Sequence, residues 1–469
     1  MRKLINLIAL LIMASSVTWA QDKKSFTLED LMPGGNNYYN LLPQNLYGLQ
    51  WWGDVCINAD IEEVKTIQPA NGKENVLITL QEVNELLANK ELGKINHFRN
   101  ASFPYAEKMM LVNTTSNKVL IDLTKKEIIW SQPLSPKAAN QDWNKESRSL
   151  AYTLDNNLFV TTADGKTQQV TDEPKGIVCG QSVHRQEFGI SKGTFWSPKG
   201  TYLAFYRMDQ SMVTDYPQVN TTARIAELVP DKYPMAGMTS HKVTVGIYNV
   251  KDGKTIYLQA GDPTDRYFTN ISWGPDEKSV FVIELNRDQN HLRLYKVNPA
   301  STVAHQIYED RSEAWLSPAA YQMVRYRNDA FVIGSERSGY RHLYEYNYAG
   351  TLLRTVTSGD YNVTALYGYE PKSRAYYLQC TKNGPKNRNV ARADGKGLTL
   401  LNPGTGTESA RFSETMEYFV RTYSNASTPP QYTLCNARGQ QLAELEMNRE
   451  YAARYASAPR KEFLKVKNA

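Results

Sequence analysis

The sequence predicts an all-β protein, a β-propeller built of four-stranded blades. Three observations predict it. A unit of aromatic residue, Pro/Gly/Ser/Asn turn and apolar strand recurs along the chain. The recurrences fall roughly one blade apart, about 40–50 residues. Thirty Tyr and eight Trp stand against six His, and large aromatics suit a pleated, half-buried surface.

The units run in order. Trp143 opens one, with Leu150-Ala151-Tyr152 and Leu158-Phe159-Val160 as its hairpin, closing at Asp164-Gly165. The next begins Trp196-Ser197-Pro198-Lys199-Gly200. Thr194-Phe195-Trp196 and Tyr202 to Tyr206 read as two strands around that turn, where Pro presets φ and Gly takes the position needing freedom. Trp273-Gly274-Pro275-Asp276-Glu277 with Val280-Phe281-Val282 follows. Weaker units are Tyr369-Glu370-Pro371-Lys372 with Tyr376-Tyr377-Leu378, and Phe412-Ser413 with Tyr418-Phe419-Val420. The intervals are 53 residues from Trp143 to Trp196, 77 from Trp196 to Trp273, and 43 from Tyr369 to Phe412. The long interval holds an insertion over about 215–232. A stack of β-sandwiches would need linkers, and no Pro/Gly/Ser-rich stretch offers one. Residues 80–92, with Glu82, Glu85 and Leu86-Leu87, read as one short helix.

Met1-Arg2-Lys3, an apolar run over 4–14 and Ser15-Ser16-Val17-Thr18-Trp19-Ala20 form a charged start, a short hydrophobic segment and a small-residue exit. That is the pattern of a secretory signal peptide, with cleavage expected after Ala20. Export to a periplasm, the cell surface or beyond is therefore expected. Formal charge is +6, falling to +4 once Arg2 and Lys3 leave. The charges are interspersed, whereas nucleic-acid binding calls for a concentrated basic face. No nucleic-acid partner is expected.

Cys56, Cys179, Cys380 and Cys435 lack the Cys-x-x-Cys spacing of a zinc site. One or two disulfides or buried free thiols are both open. Asp276 and Asp252-Gly253 read as turn residues before metal ligands, so neither metal nor cofactor is expected. Asn113-Thr114-Thr115 and Asn220-Thr221-Thr222 fit the glycosylation pattern. A serine hydrolase on an α/β scaffold needs a Gly-x-Ser-x-Gly elbow followed by Asp and His. The chain has no such elbow, and no catalytic residue is expected in it.

The stretch Val183-His184-Arg185-Gln186-Glu187-Phe188-Gly189-Ile190-Ser191-Lys192-Gly193 places a carboxylate between an apolar residue and polar neighbours, just before a strand. With Arg207-Met208-Asp209-Gln210-Ser211, Tyr233-Pro234-Met235-Ala236-Gly237, Ser335-Glu336-Arg337-Ser338-Gly339-Tyr340-Arg341-His342 and Phe26-Thr27-Leu28-Glu29-Asp30, it resembles the dipeptidyl peptidase IV family. The likeness is greatest to bacterial prolyl tripeptidyl peptidases.

That resemblance implies eight blades, with 21–42 as an N-terminal segment, 43–458 as the propeller and 459–469 as the start of an α/β-hydrolase domain. It implies that Glu187 grips the free α-amine of a peptide substrate, and that 215–232 extends a blade toward a homodimer contact. Dipeptidyl members carry two consecutive glutamates; here Gln186 precedes Glu187, which suits the tripeptidyl relatives. An arginine that holds a substrate carbonyl in those members has no match, Arg99 being the nearest candidate. His184 is expected to be a hydrogen-bonded structural residue, and the Ser335–His342 stretch a strand and turn with internal ion pairing. The function implied is the non-catalytic propeller of an exported serine exopeptidase releasing N-terminal di- or tripeptides after proline. The alternative is a stand-alone secreted propeller that binds peptides or a protein.

Overall fold

The computed structural model describes residues 26–261, 265–454 and 461–467. The expected signal peptide, residues 1–20, lies outside them. Two compact units emerge, one over Leu46–Met447 and one from Met1–Asn45 with Asn448–Ala469.

The larger unit is an eight-bladed β-propeller. Its eight main sheets are antiparallel, and each is made from one continuous stretch of the chain, the fourth interrupted by the two short hairpin pairs of an arm. The first blade runs from Leu49–Trp52 to Glu74–Thr79, and the eighth from Thr407–Phe412 to Gln441–Glu446. The second has three strands, Met109–Asn113, Asn117–Asp122 and Glu127–Pro133. Its opening strand shrinks to a single bridge, Ser102 to Leu111. Pro104 stands two residues on and has no N–H to extend the ladder.

Blades pack face to face, so a central strand is covered on both sides. Val280–Asn286 accordingly has six buried residues in succession. Phe281 stacks on Tyr326 of the next blade, with ring centroids 3.9 Å apart. The aromatic heading a unit acts between blades. Trp196 donates its indole N–H to the Asp142 carbonyl of the blade before (2.9 Å), and Trp273 donates to Phe195 (2.8 Å). The turns after these aromatics also join. Asn144 Nδ2 donates to the Ser197 carbonyl (2.9 Å), while the Lys199 backbone N–H donates to Glu277 (2.6 Å). Gly200 has φ +76°, and a Cβ there would strike Ser147 of the neighbouring turn.

The ring closes without exchanging a strand. Trp51 of the first blade donates to the Arg411 carbonyl of the eighth (3.0 Å), and the Arg411 guanidinium returns to the Leu49 carbonyl. Thr415 Oγ1 donates to Asp54 (2.7 Å). Leu49, Cys56 and Ile67 form one apolar cluster with Val420 and Leu434.

A helix, Leu80–Ala88, follows the first blade. Thr79 and Glu82 cap it reciprocally, satisfying backbone donors that its first turn leaves open. It stops four residues short of the expected end, with Asn89 as its C-cap. The long interval before Trp273 contains an arm: Asp215–Tyr216 pairs with Asp231–Lys232, and Val219–Asn220 with Glu227–Leu228. All four cysteines are free and buried. Glu336 pairs with Arg341 at 2.8 Å across the expected turn.

In the smaller unit, the helix Leu28–Leu31 is capped by Thr27 and Asp30. Asn448 Oδ1 accepts from the Gln44 backbone N–H (2.7 Å), and its amide returns to the Gln44 carbonyl (2.9 Å). Residues 461–467 carry no helix or strand.

Candidate functional site

The first strand of the fourth blade is broken in two. Ile177–Cys179 pairs with Asp209, Met208 and Arg207. Thr194–Trp196 pairs with Phe205, Ala204 and Leu203. Tyr206 sits between, accepting from the Gly180 N–H (2.9 Å) and donating to the Gly193 carbonyl (3.0 Å). Residues 181–192 therefore leave and rejoin the sheet at one point. A Cβ on Gly193 would fall inside the Gln181 backbone, so only glycine permits this narrow neck.

The loop carries Glu187. Val183, Phe188 and Ile190 are buried and tie it to the largest core cluster, while Arg185, Gln186 and Glu187 are exposed. Its backbone is strained. His184, Arg185, Gln186 and Phe188 have φ of +55°, +54°, +65° and +57°. Glu187 itself is extended, at φ −63° and ψ 168°. A left-handed residue other than glycine costs roughly 1–2 kcal/mol, and such strain persists where surroundings over-determine it.

Those surroundings are specific. His184 Nδ1 lies 2.7 Å from His241 Nε2. Arg185 pairs with Asp231 of the arm at 2.6 Å, and its guanidinium lies over the Tyr233 ring, 5.4 Å from the centroid. Phe188 packs on Tyr267, with centroids 4.9 Å apart. Burial pushes the His184 imidazole well below its usual pKa, and His241 adds to that. His241 is lowered by burial and then by Arg287 and Arg185. Both rings are held neutral, one donating to the other.

Two cavities flank His241. One, of about 850 Å³, is walled by Arg207, Asp265, Arg266 and Arg287 among others. The second, of about 490 Å³, is walled by Arg185, Gln186, Gln210 and Lys232. Tyr267 senses the site electrostatically. Burial raises its phenol pKa, Arg287 lowers it, and Glu187 and Asp265 raise it again. Among the described residues, no side chain hydrogen-bonds or ion-pairs with the Glu187 carboxylate. An unpaired exposed carboxylate beside polar cavities can accept from an ammonium, a charge-assisted bond about twice as strong as a neutral one.

Glu187 and Gln186 thus share a loop tip, and His184 is the buried, hydrogen-bonded residue expected. Arg99 pairs instead with Asp60 at 3.0 Å, and none of its contacts reaches the loop. Sequence reasoning passed over His241, Asp231, Tyr267 and Arg287, which meet the loop only through tertiary folding. The glycines at 180 and 193 were the one local signal of the neck. Among the described residues, no group of three His, Cys, Asp or Glu side chains is placed to hold a metal.

Known proteins match this architecture. The profile of a family described as the dipeptidyl peptidase IV (DPP IV) N-terminal region matches residues 95–430. A candidate dipeptidyl aminopeptidase IV from Bacteroides ovatus superposes with a TM-score of 0.82 at 38% identity, over 91% of this chain and 63% of that one. Porphyromonas gingivalis dipeptidyl peptidase 4 superposes with a TM-score of 0.79 at 24% identity, over 92% and 63%, a likeness of fold. Dipeptidyl peptidase 4 of Arthroderma otae is 27% identical over 328 residues, 64% of this chain and 42% of that protein. The chain spans less than half the length of that curated relative.

Proposed function

Since this chain belongs to the dipeptidyl peptidase IV N-terminal region family, we propose that it is the substrate-gripping propeller of an exported serine exopeptidase, with Glu187 holding the free α-amine of the peptide. The observation that carries this reading is the Glu187 carboxylate, which has no side-chain partner among the described residues, on a loop anchored by Val183, Phe188 and Ile190 in the core and by the contacts of His184 and Arg185. An exopeptidase must measure distance from the substrate N-terminus. A fixed carboxylate does so by charge and hydrogen bond together.

The bond-breaking would belong to an α/β-hydrolase domain following the propeller, with a serine nucleophile, a histidine base and an orienting acid. The propeller's part is to gate access and to fix the register of the peptide. The substrate is a peptide with a free N-terminus, released as a di- or tripeptide after proline. Gln186 removes the second charge of the dipeptidyl pattern and favours the longer product. The arm of the fourth blade exposes Ile225, Leu228, Val229 and Val219, apolar surface suited to a second copy in a homodimer. Export rests on the leader pattern of residues 1–20.

The test is Glu187→Ala in the protein carrying propeller and hydrolase domain together. Losing a hydrogen bond to a charged group costs about 1.5–3 kcal/mol. That lowers kcat/KM on free-amine peptides by roughly 10- to 150-fold. Hydrolysis of an N-acetylated peptide should stay level. An unchanged kcat/KM on the free-amine peptide would sink the reading.

A further inference from the structure

The neck at Tyr206 fixes where the loop leaves the sheet, but not where its tip points. Three buried apolar side chains hold its flanks. The two residues that begin the left-handed run, His184 and Arg185, are held instead by polar partners: Arg185 by Asp231 of the arm and His184 by His241, on the segment that joins the arm back to the blade. Asp231 lies on the returning strand of the arm, and His241 on the segment re-entering the blade just before Lys242–Asn249. We propose that the arm of the fourth blade positions Glu187, with Asp231 acting through Arg185 and His241 through His184. This rests on Glu187 being the amine anchor.

The electrostatics give Asp231 a second task. Arg185 is a cation two residues from the Glu187 carboxylate. Without a partner of its own, a long flexible guanidinium so close in sequence competes for Glu187 and neutralises the group that must meet the substrate. Asp231 engages that guanidinium at 2.6 Å, and Tyr233 lies beneath it. Arg185 is thereby drawn toward the arm and away from Glu187.

The magnitude separates positioning from stability. The side chains of Arg185 and Asp231 are 42% and 43% exposed. An ion pair that wet adds little to folding. Breaking it should therefore change substrate grip much more than melting temperature. The same arm that carries Asp231 exposes the apolar surface described above, so the loop's support and that surface share one element.

The experiment compares Asp231→Asn, Asp231→Glu and Glu187→Ala in the protein carrying both domains. Asp231→Asn is expected to raise KM for a free-amine tripeptide substrate by about three- to tenfold, with kcat nearly unchanged and Tm shifted by less than about 2 °C. Asp231→Glu should restore KM. On the 469-residue chain alone, Asp231→Asn should speed amide hydrogen exchange over 184–190 relative to the rest of the blade. If Glu187→Ala raises KM and Asp231→Asn does not, the positioning role is overturned while the amine anchor stands. If Glu187→Ala also leaves KM unchanged, the anchor itself has failed. Equal losses on free-amine and N-acetylated peptides, tracking a fall in Tm, would reduce Asp231 to a structural residue and overturn the proposal.

Discussion

Trp51 donates its indole N–H to the carbonyl of Arg411, 3.0 Å away and 360 positions later in the chain. The first blade thus holds the eighth as Trp196 and Trp273 hold the blades before them. Trp143 occupies the equivalent place in the third blade, but its indole N–H has no acceptor. Replacement by Phe keeps most of the ring and deletes the donor. Trp51→Phe, Trp196→Phe and Trp273→Phe should each cost about 1 kcal/mol. Trp143→Phe should cost nothing measurable or stabilise slightly. Urea midpoints of the four variants check the ordering.

The neck of the Glu187 loop depends on one glycine. Gly193→Ala puts a methyl group where the Gln181 backbone runs, and backbone cannot move aside as a side chain can. The loop must open. We expect a loss of about 2 kcal/mol or more, with new proteolytic cuts confined to 181–192. Intact resistance to protease there would contradict the neck.

Glu345 is 1% exposed and accepts from Arg327 and Arg354, each at 2.8 Å. Burial pushes its carboxyl up, but hydrogen bonds from the two arginines outweigh that and hold it below the usual range. Glu345→Gln preserves shape but leaves Arg354 without its carboxylate and Arg327 with only the Asp329 carboxylate, 3.5 Å away. Removing one partner of a buried pair costs about 3–5 kcal/mol. A melting temperature within 2 °C of the parent would refute this.

Acid should loosen the fold through histidine. His184, His241, His291 and His342 all sit below the usual value of 6.5, burial being the first cause in each. Below pH 6.5 the unfolded chain takes up protons that the folded chain refuses, so stability falls as pH drops and is flat above. Around the His184–His241 pair, the cations of Arg185 and Arg287 reinforce the refusal. Melting temperature should decline from pH 7 to pH 5, and His241→Gln should shrink that decline. An unaltered slope in His241→Gln would exclude the pair as a source.

The four thiols are buried, and burial raises Cys56 to about 12 and Cys179 to about 11. Thiolate is the reactive form. An aromatic disulfide reagent at pH 8 should count close to zero thiols in the native protein and four after unfolding.

The blades were legible where side-chain chemistry repeats. Trp196 and Trp273 stand ahead of the turns and strands they were expected to precede, each closing the first strand of its blade, because each indole does the same work against the blade before it. The first and second blades were not legible, the recurring unit first appearing at Trp143; in the second, the reason is plain. Its opening strand is a single bridge at Ser102, too short to leave any alternation. Glu187 was singled out by the wording of its neighbours, which a family resemblance can read. Its supports were not, since Asp231 and His241 lie 46 and 57 positions from the residues they hold. A partner so distant leaves no local pattern. The helix was legible from Glu82, Glu85 and Leu86-Leu87, and its end was misplaced because Leu92 continues the apolar spacing after the backbone has turned.

A ring whose blades each come from one continuous stretch of chain has a definite order of completion during synthesis. Every blade can form as soon as its own residues leave the ribosome, without waiting for a strand from the far end. The flank of the first blade is the exception. Leu49, Cys56 and Ile67 stay wet until Val420 and Leu434 arrive to cover them. At about 5–20 residues per second, some 400 residues take about 20–80 s. For that time the newborn chain carries a sticky edge, and its crowding by other nascent chains sets how much of the protein survives to close.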